Sequence, residues 1–224
     1  MALLEVCCFR PQDAITAFRA GADRIELCDN REAGGTTPPL EWVKEVKQNI
    51  PIPVFVMVRP RGGNFVYSDS EFLEMQATIK SLRSSADGFV LGILHDDHSI
   101  DGVRTAQLVA AAAPLPCTFH KAFDETPDPL EALAMVIDSG CRALLTSGQA
   151  STAEAGVEIL SQLVRAARDQ VTVIPGGGVR ASNLADLQAR TGAVIFHSAA
   201  ARSISQPCCL EIRQLKALMV QRTS

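Results

Sequence analysis

Eight times along this chain a short apolar run rich in β-branched residues gives way to a longer amphipathic segment. That alternation constrains the fold more than any other feature. The apolar runs cover residues 3–8, 24–28, 54–58, 88–94, 117–120, 143–146, 171–174 and 193–197. Runs that are apolar almost throughout are strands buried on both faces, as in a parallel sheet. The segments between them carry helical periodicity. Ala14, Ile15 and Phe18 follow Pro11, and Leu40, Val43 and Val46 oppose Lys44 and Lys47. Phe72, Met75, Ile79 and Leu82 follow a capping box at Ser68 and Glu71. A further helix is expected over about 101–112. Leu130, Leu133 and Ile137 form an inward stripe after Asp128-Pro129, and Ala155, Ile159, Leu163 and Ala166 another after a second capping box at Ser151 and Glu154. Leu184 and Leu187 mark a short helix, and Ile212, Leu215 and Met219 the last one.

Eight strand–helix units imply a closed (β/α)8 TIM barrel, with an open doubly wound sheet as the competitor. A weak repeat favours the barrel, because glycine or alanine punctuates the helix-to-strand turns at Gly21-Ala22, Ala86-Asp87, Gly140-Cys141 and Gly192-Ala193. No stretch reads as a linker, so residues 1–224 are expected to form a single domain. Apolar residues make up 47% of the chain, enough for a large core without disulfides. The net charge of -4 offers no basic patch for nucleic acid. The longest apolar run, near Leu108, is broken by proline and too short to span a bilayer. The first residues carry no basic n-region, so no signal peptide is expected. Seven cysteines without framework spacing suit a reducing, cytoplasmic compartment.

In such barrels the site lies at the C-terminal ends of the strands. The third strand delivers Arg59-Pro60-Arg61-Gly62-Gly63 there, two arginines in a turn-forming setting. Arg59 and Arg61 are candidates to clamp an anion. Gly176, Gly177 and Gly178 after the seventh strand, with Ser198 after the eighth, occupy the place where many barrels hold a phosphate. Glu5, Glu26, His120 and Asp124 are candidate acid–base groups if burial shifts them toward neutrality. One reading is therefore an enzyme acting on a small anionic molecule, with phosphorylated ones among the candidates. Strand six ends without a lysine for a Schiff base, and Lys121 competes with His120 for the inward direction. No P-loop and no G-x-S-x-G elbow occurs.

Cys7 and Cys28 end neighbouring strands, and alternation places Glu5 on the face of Cys7 and Glu26 on that of Cys28. Adjacent strands lie roughly 4.8 Å apart, so thiolates at equal height can share an ion. Soft thiolates favour Cu(I). The competing reading is that both are small core hydrophobes, as expected for Cys8, Cys117 and Cys141. Cys208 and Cys209 precede the last helix. No C-x-x-C or H-E-x-x-H supports zinc, and His120 and His197 are further donors at the mouth. A third reading is a metal carrier or sensor that works with a protein partner, for which the single Trp42 and single Tyr67 supply no exposed aromatic stripe.

The segments LEVCCF, GADRIELC, the run from Ala33 to Pro38, VRPRGGNFVYSD, TFHKAFD, LLTSGQ, PGGGV and FHSAA resemble the CutC family, named for copper homeostasis. The likeness runs in order from the first strand to the eighth. It implies a barrel fold, a cytosolic location, copper binding at the matching cysteines, Cys7 and Cys28, and self-association into a homo-oligomer. It implies no settled reaction. Two departures stand out. Lys121 replaces the arginine usual in the FHRAFD motif, and the connection from the eighth strand to the last helix, residues 199–210, is shorter than in most members.

Overall fold

The computed structural model describes residues 2–200 and 207–220. The eight apolar runs form strands β1 (Leu3–Cys8), β2 (Arg24–Leu27), β3 (Val54–Met57), β4 (Gly88–Leu91), β5 (Cys117–Phe119), β6 (Ala143–Thr146), β7 (Thr172–Pro175) and β8 (Ile195–Ser198). The helices are α1 (Pro11–Ala20), α2 (Leu40–Asn49), α3 (Asp69–Leu82), α4 (Gly102–Ala112), α5 (Pro129–Asp138), α6 (Val157–Ala167), α7 (Leu184–Thr191) and α8 (Cys209–Val220). Hydrogen-bonded neighbours follow the order β7-β6-β5-β4-β3-β2-β1-β8, and every pairing is parallel. A doubly wound sheet would reverse this order at a switch point. Here it runs consecutively, and β7 lies against β8 at the seam. The result is a near-closed TIM barrel. Among the described residues no helix is long and apolar enough to cross a membrane.

Local chemistry sets the element ends. Pro11 opens α1, and Gly21 closes it with φ of 108°. Ser68 and Glu71 form the reciprocal capping box of α3. The main core lies between sheet and helices, where Val43, Val46, Ile79, Ile212 and Leu215 meet Leu4, Val6 and Ile25. The lumen holds two smaller apolar groups: Cys7, Cys28, Phe55, Met57 and Val90 on one side, Ala143, Leu145 and Ile174 on the other. The Phe55 ring passes 2.6 Å from where a Cβ on Gly88 would sit, so only glycine fits there.

Two helix readings change. Leu130 is 49% exposed, and α5 instead buries Ala132, Leu133 and Val136. The segment expected to cap α6 at Ser151 and Glu154 stays irregular, because Ala153 N–H bonds the carbonyl of Gly177 in the neighbouring loop. Helix α6 starts later and buries Val157, Leu160, Leu163 and Ala167. Residues 201–206 of the short connection after β8 lie outside the described residues.

Candidate metal and anion site

The register of the first strands builds the site. Glu5 pairs with Arg24 on β2 and with His197 on β8, so an acid sits between two bases at one level. Arg24 Nε donates to Glu5 Oε2 at 2.6 Å, and His197 Nδ1 lies 2.8 Å from Glu5 Oε1. The Arg24 guanidinium also stacks on Phe55. Burial pushes Glu5 up, but the His197 hydrogen bond and the Arg24 charge outweigh it, and the carboxyl ends below its ordinary range. Burial pushes His197 down, yet Glu26, Cys7 and Glu5 together raise it well above the ordinary imidazole value. The pair is an imidazolium on a carboxylate.

One layer up, Cys7 pairs in register with Glu26, and Cys28 follows two residues later. The strands tilt in a barrel, so diagonal neighbours reach the same height. Cys7 Sγ and Cys28 Sγ are 3.9 Å apart, and Glu26 Oε2 is 3.6 Å from Cys28 Sγ. Ligand atoms of Cys7, Glu26 and Cys28 all lie within 4.8 Å of one another. All three side chains are buried. The Cys28 contact and burial raise the Cys7 thiol well above its ordinary value. The Cys7 contact pulls the Cys28 thiol down, but burial and Glu26 push it up to about 12. Burial also raises Glu26, against the pull of His197. These groups are thiols and a carboxyl that lose protons reluctantly without a cation. Met57 packs in the same cluster and adds a thioether.

Cys7, Glu26, Cys28 and His197 line a cavity of about 140 Å³ together with Arg59, Phe65, His120 and Lys121. Arg59 is 5% exposed. Its terminal nitrogens donate to the carbonyls of Ala33, Gly35 and Gly63, which ties the β2 loop to the β3 loop. Among the described residues no carboxylate pairs with it. Its guanidinium and the His120 ring both lie against Phe65, at 4.7 and 4.8 Å. His120 Nδ1 accepts from Ala122 N–H at 3.3 Å, which assigns the proton to Nε2. Burial and the Arg59 charge lower His120 to about 3, so the ring is neutral. The ring sits 2.7 Å from where a Cβ on Gly92 would be, which explains the glycine there. Both His120 and Lys121 reach the cavity. Alternation lapses because β5 ends at Phe119 and residues Lys121–Glu125 turn as a 3-10 helix.

The other candidates are placed elsewhere. Arg61 bonds Glu71, the carbonyls of Gly62, Asn64 and Val66, and stacks on Tyr67, away from the cavity lining. Asp124 accepts from Lys121 Nζ, Thr146 Oγ1, Ser147 N–H and Oγ, and Gln149 N–H. Gly176 N–H bonds Thr146 O, and Gly177 and Gly178 both take positive φ beside Lys121 and Thr152. Ser198 Oγ donates to Val179 O and accepts from Ala200 N–H. Cys208 and Cys209 are partly exposed, and Cys209 begins α8. Met57 beside the thiols and Lys121 in the cavity went unassigned from sequence, whereas Glu26 was placed on the face of Cys28 but read as an acid–base group. For Glu26 the signal was present, two residues before Cys28 on the same face.

The sequence profile of the CutC family matches residues 2–202. A human protein named copper homeostasis protein cutC homolog is 44% identical over 199 residues, covering 88% of this chain and 73% of that one. Its mouse counterpart is 45% identical over 202 residues, covering 90% and 74%. The crystal structure of a CutC protein from Streptococcus agalactiae superposes with a TM-score of 0.84 at 35% identity, covering 89% of this chain and 99% of that one. A thiamine phosphate pyrophosphorylase from Pyrococcus furiosus shares the fold, with a TM-score of 0.68 at 16% identity.

Proposed function

The chain belongs to the CutC family, and from that premise we propose that it binds one copper(I) ion between Cys7 and Cys28 and serves copper homeostasis. One observation carries this reading: two buried thiols 3.9 Å apart, with a carboxyl beside them, on the wall of a cavity. At metal–thiolate bonds of about 2.3 Å, two sulfurs on one ion stand at most ~4.6 Å apart. The pair satisfies that limit. Soft sulfur donors, with the Met57 thioether adjacent, favour Cu(I) over harder ions.

Charge supports the same reading. Uptake of Cu(I) by two thiols releases two protons and leaves a complex of charge -1. Arg24, ionised Glu5 and protonated His197 sum to +1 beside it. A buried anion next to that balanced set is far less costly than an isolated one. His197 supplies positive charge beside the complex, and Glu26 orients the thiols. The ion is cargo in this account.

Seven free cysteines support a reducing compartment such as the cytosol. The reading also includes self-association, which sedimentation velocity tests. The alternative, an enzyme acting on a small anion, draws on the buried Arg59 that lacks a carboxylate partner.

The deciding experiment is an anaerobic titration of reduced protein with Cu(I) against a competing chelator. Wild type is expected to take up one ion per chain. Cys7→Ser/Cys28→Ser is expected to lose at least a thousandfold in affinity with its fold intact by circular dichroism. Equal uptake by both proteins, or none by wild type, overturns the reading.

A further inference from the structure

Surface helices of a barrel turn their large apolar side chains inward, and α4 and α5 do so with Leu108, Leu133 and Val136. Two residues break that rule side by side. Val103, at the start of α4, is 71% exposed, and Met135 on α5 is 40% exposed. Both stand in one groove. A cleft of about 590 Å³ runs over α5 and the loop before it, and a second of about 550 Å³ runs over the start of α4. The two share His95, Ile100 and Met135, so they are continuous. The groove is built on the loops that follow β4 and β5, which places it beside the barrel mouth. None of its lining residues lines the cavity of Cys7 and Cys28.

The negative charge of the chain is concentrated in the same place. The lining carries Asp96, Asp101, Asp128 and Glu131, and Arg104 is its one permanent cation. That guanidinium is committed to Asp101 and to Asp69 at the rim. Among the described residues no cation pairs with Asp96, Asp128 or Glu131. Setting these five acids and one arginine apart from the 25 acids and 21 lysines and arginines of the chain leaves twenty of each. The rest of the molecule is therefore balanced, and the net charge of -4 sits at the groove.

We propose that this groove docks a basic amphipathic helix of another protein, whose apolar face covers Val103, Ile100 and Met135 while flanking lysines or arginines meet Asp96, Asp128 and Glu131. Exposed apolar side chains in a continuous groove call for an apolar face, and methionine adapts its shape to the surface that meets it. The carboxylates call for several separate cations. Among the described residues only Cys7, Glu26 and Cys28 lie close enough to share one ion, so a single metal ion does not serve the groove. A second copy of this chain brings no surplus of positive charge, because the surface outside the groove is balanced. An anionic lipid surface would be repelled. A helix laid into a groove supplies both parts at once, apolar anchors along one face and charges on its flanks.

The test is fluorescence anisotropy with a labelled synthetic helix of leucine and lysine, about 14 residues long and leucine on one face. Its controls are a version with glutamate for lysine and a scrambled version without an apolar face. The leucine–lysine helix is expected to bind at one per chain, and both controls at least tenfold more weakly. Val103→Ser/Met135→Ser is expected to lose at least tenfold in affinity. Asp96→Asn/Glu131→Gln is expected to lose at least fivefold and to flatten the salt dependence of binding. Leu210→Ser, which removes an exposed apolar side chain from α8, is expected to bind like wild type. All five positions are exposed, so these variants are expected to fold, and copper uptake by each is expected to match wild type. Absence of saturable binding to wild type, equal binding of the glutamate version, or undiminished binding by Val103→Ser/Met135→Ser overturns the proposal. So does a wild-type dimer in sedimentation velocity that Val103→Ser/Met135→Ser dissociates, because a second copy then covers the groove.

Discussion

Two carboxyl groups at the strand C-termini, Asp124 and Glu26, show how differently the barrel treats similar chemistry. Asp124 collects hydrogen bonds from Lys121, Thr146, Ser147 and Gln149, and through them it pins the loop after β6 to the 3-10 turn after β5. Glu26 has only a thiol at 3.6 Å and an imidazole nitrogen at 3.8 Å, with one oxygen left open. A fully satisfied buried network specifies structure, whereas a partly satisfied one spends stability on something else. The first carboxyl builds the mouth, and the second keeps an oxygen without a partner among the described residues. The seven-residue span 120–126 thus holds the mouth through Asp124, whereas Glu26 beside Cys28 holds little of it.

The comparison breaks most readily at Asp124. Asp124→Ala strips the acceptor from Lys121, Thr146, Ser147 and Gln149 at once, leaving a largely buried cluster of open donors. Loss of such a network is expected to cost about 3–5 kcal/mol, read as a fall of roughly 6–20 °C in Tm for a chain of this size. Copper affinity of the folded protein is expected to stay within threefold of wild type. A large loss of copper binding without loss of stability would show that the two carboxyls do not differ in the way described.

His120 sharpens the comparison through pH. Its unfolded value is about 6.5 and its folded value about 3. Between these, the unfolded chain takes a proton that the native state refuses, so stability falls as pH falls from 6.5 toward 3, by about 1.4 kcal/mol per pH unit. His120→Gln lacks this term. Relative to wild type it is expected to gain about 2 kcal/mol on going from pH 7 to pH 5, measured by urea denaturation at both values. Parallel stability curves would mean that the ring is hydrated in the native state.

The barrel was legible from sequence because two periods, near-continuous apolar strands and 3.6-residue helices, alternate eight times and admit few arrangements. Stripes such as Ile212, Leu215 and Met219 were legible for the same reason, and all three are buried. The α6 stripe was not, because the deciding contact, Ala153 to Gly177, is long-range and leaves no local signal. In the site, alternation correctly put Cys7 and Cys28 on inward faces. The pairing of Cys7 with Glu26 instead of Cys28 depends on barrel stagger, which a single strand does not encode. Lys121 was misdirected because alternation was carried one residue past the end of β5.

Glu26 offers a smaller and more specific effect. Glu26→Gln removes a carboxyl whose charge is disfavoured by burial, so the fold is expected to hold within about 1 kcal/mol. Copper affinity is expected to drop 10- to 100-fold, the usual loss when a group orienting a metal ligand is changed. The drop is expected to shrink as pH falls, because a protonated Glu26 carboxyl carries the same charge as the glutamine amide and burial favours that form. Copper uptake displaces protons from thiols whose pKa values are raised, about 12 for Cys28, so affinity climbs with pH across the neutral range. Competition titrations at three pH values separate the slope from the offset. An unchanged affinity would demote Glu26 to a bystander and leave the thiols as the whole site.

The smallest effect is expected where sequence made two residues look alike. Arg59 and Arg61 leave the same strand two residues apart, yet Arg59 is buried against the cavity and Arg61 turns outward to Glu71 and loop carbonyls. The Arg61 side chain is 39% exposed, so its ion pair is partly screened by solvent. Exposed pairs contribute about 0–1 kcal/mol. Arg61→Ala is therefore expected to lower stability by no more than about 1 kcal/mol, less so in high salt, with copper binding unchanged. The contrast with Arg59 follows from Pro60, which ends the strand's pattern and lets successive arginines face different surroundings. A loss of copper affinity beyond threefold in Arg61→Ala would place the second arginine in the field of the thiol site after all, and would move the boundary of the cavity outward to include the loop that Arg61 now only braces.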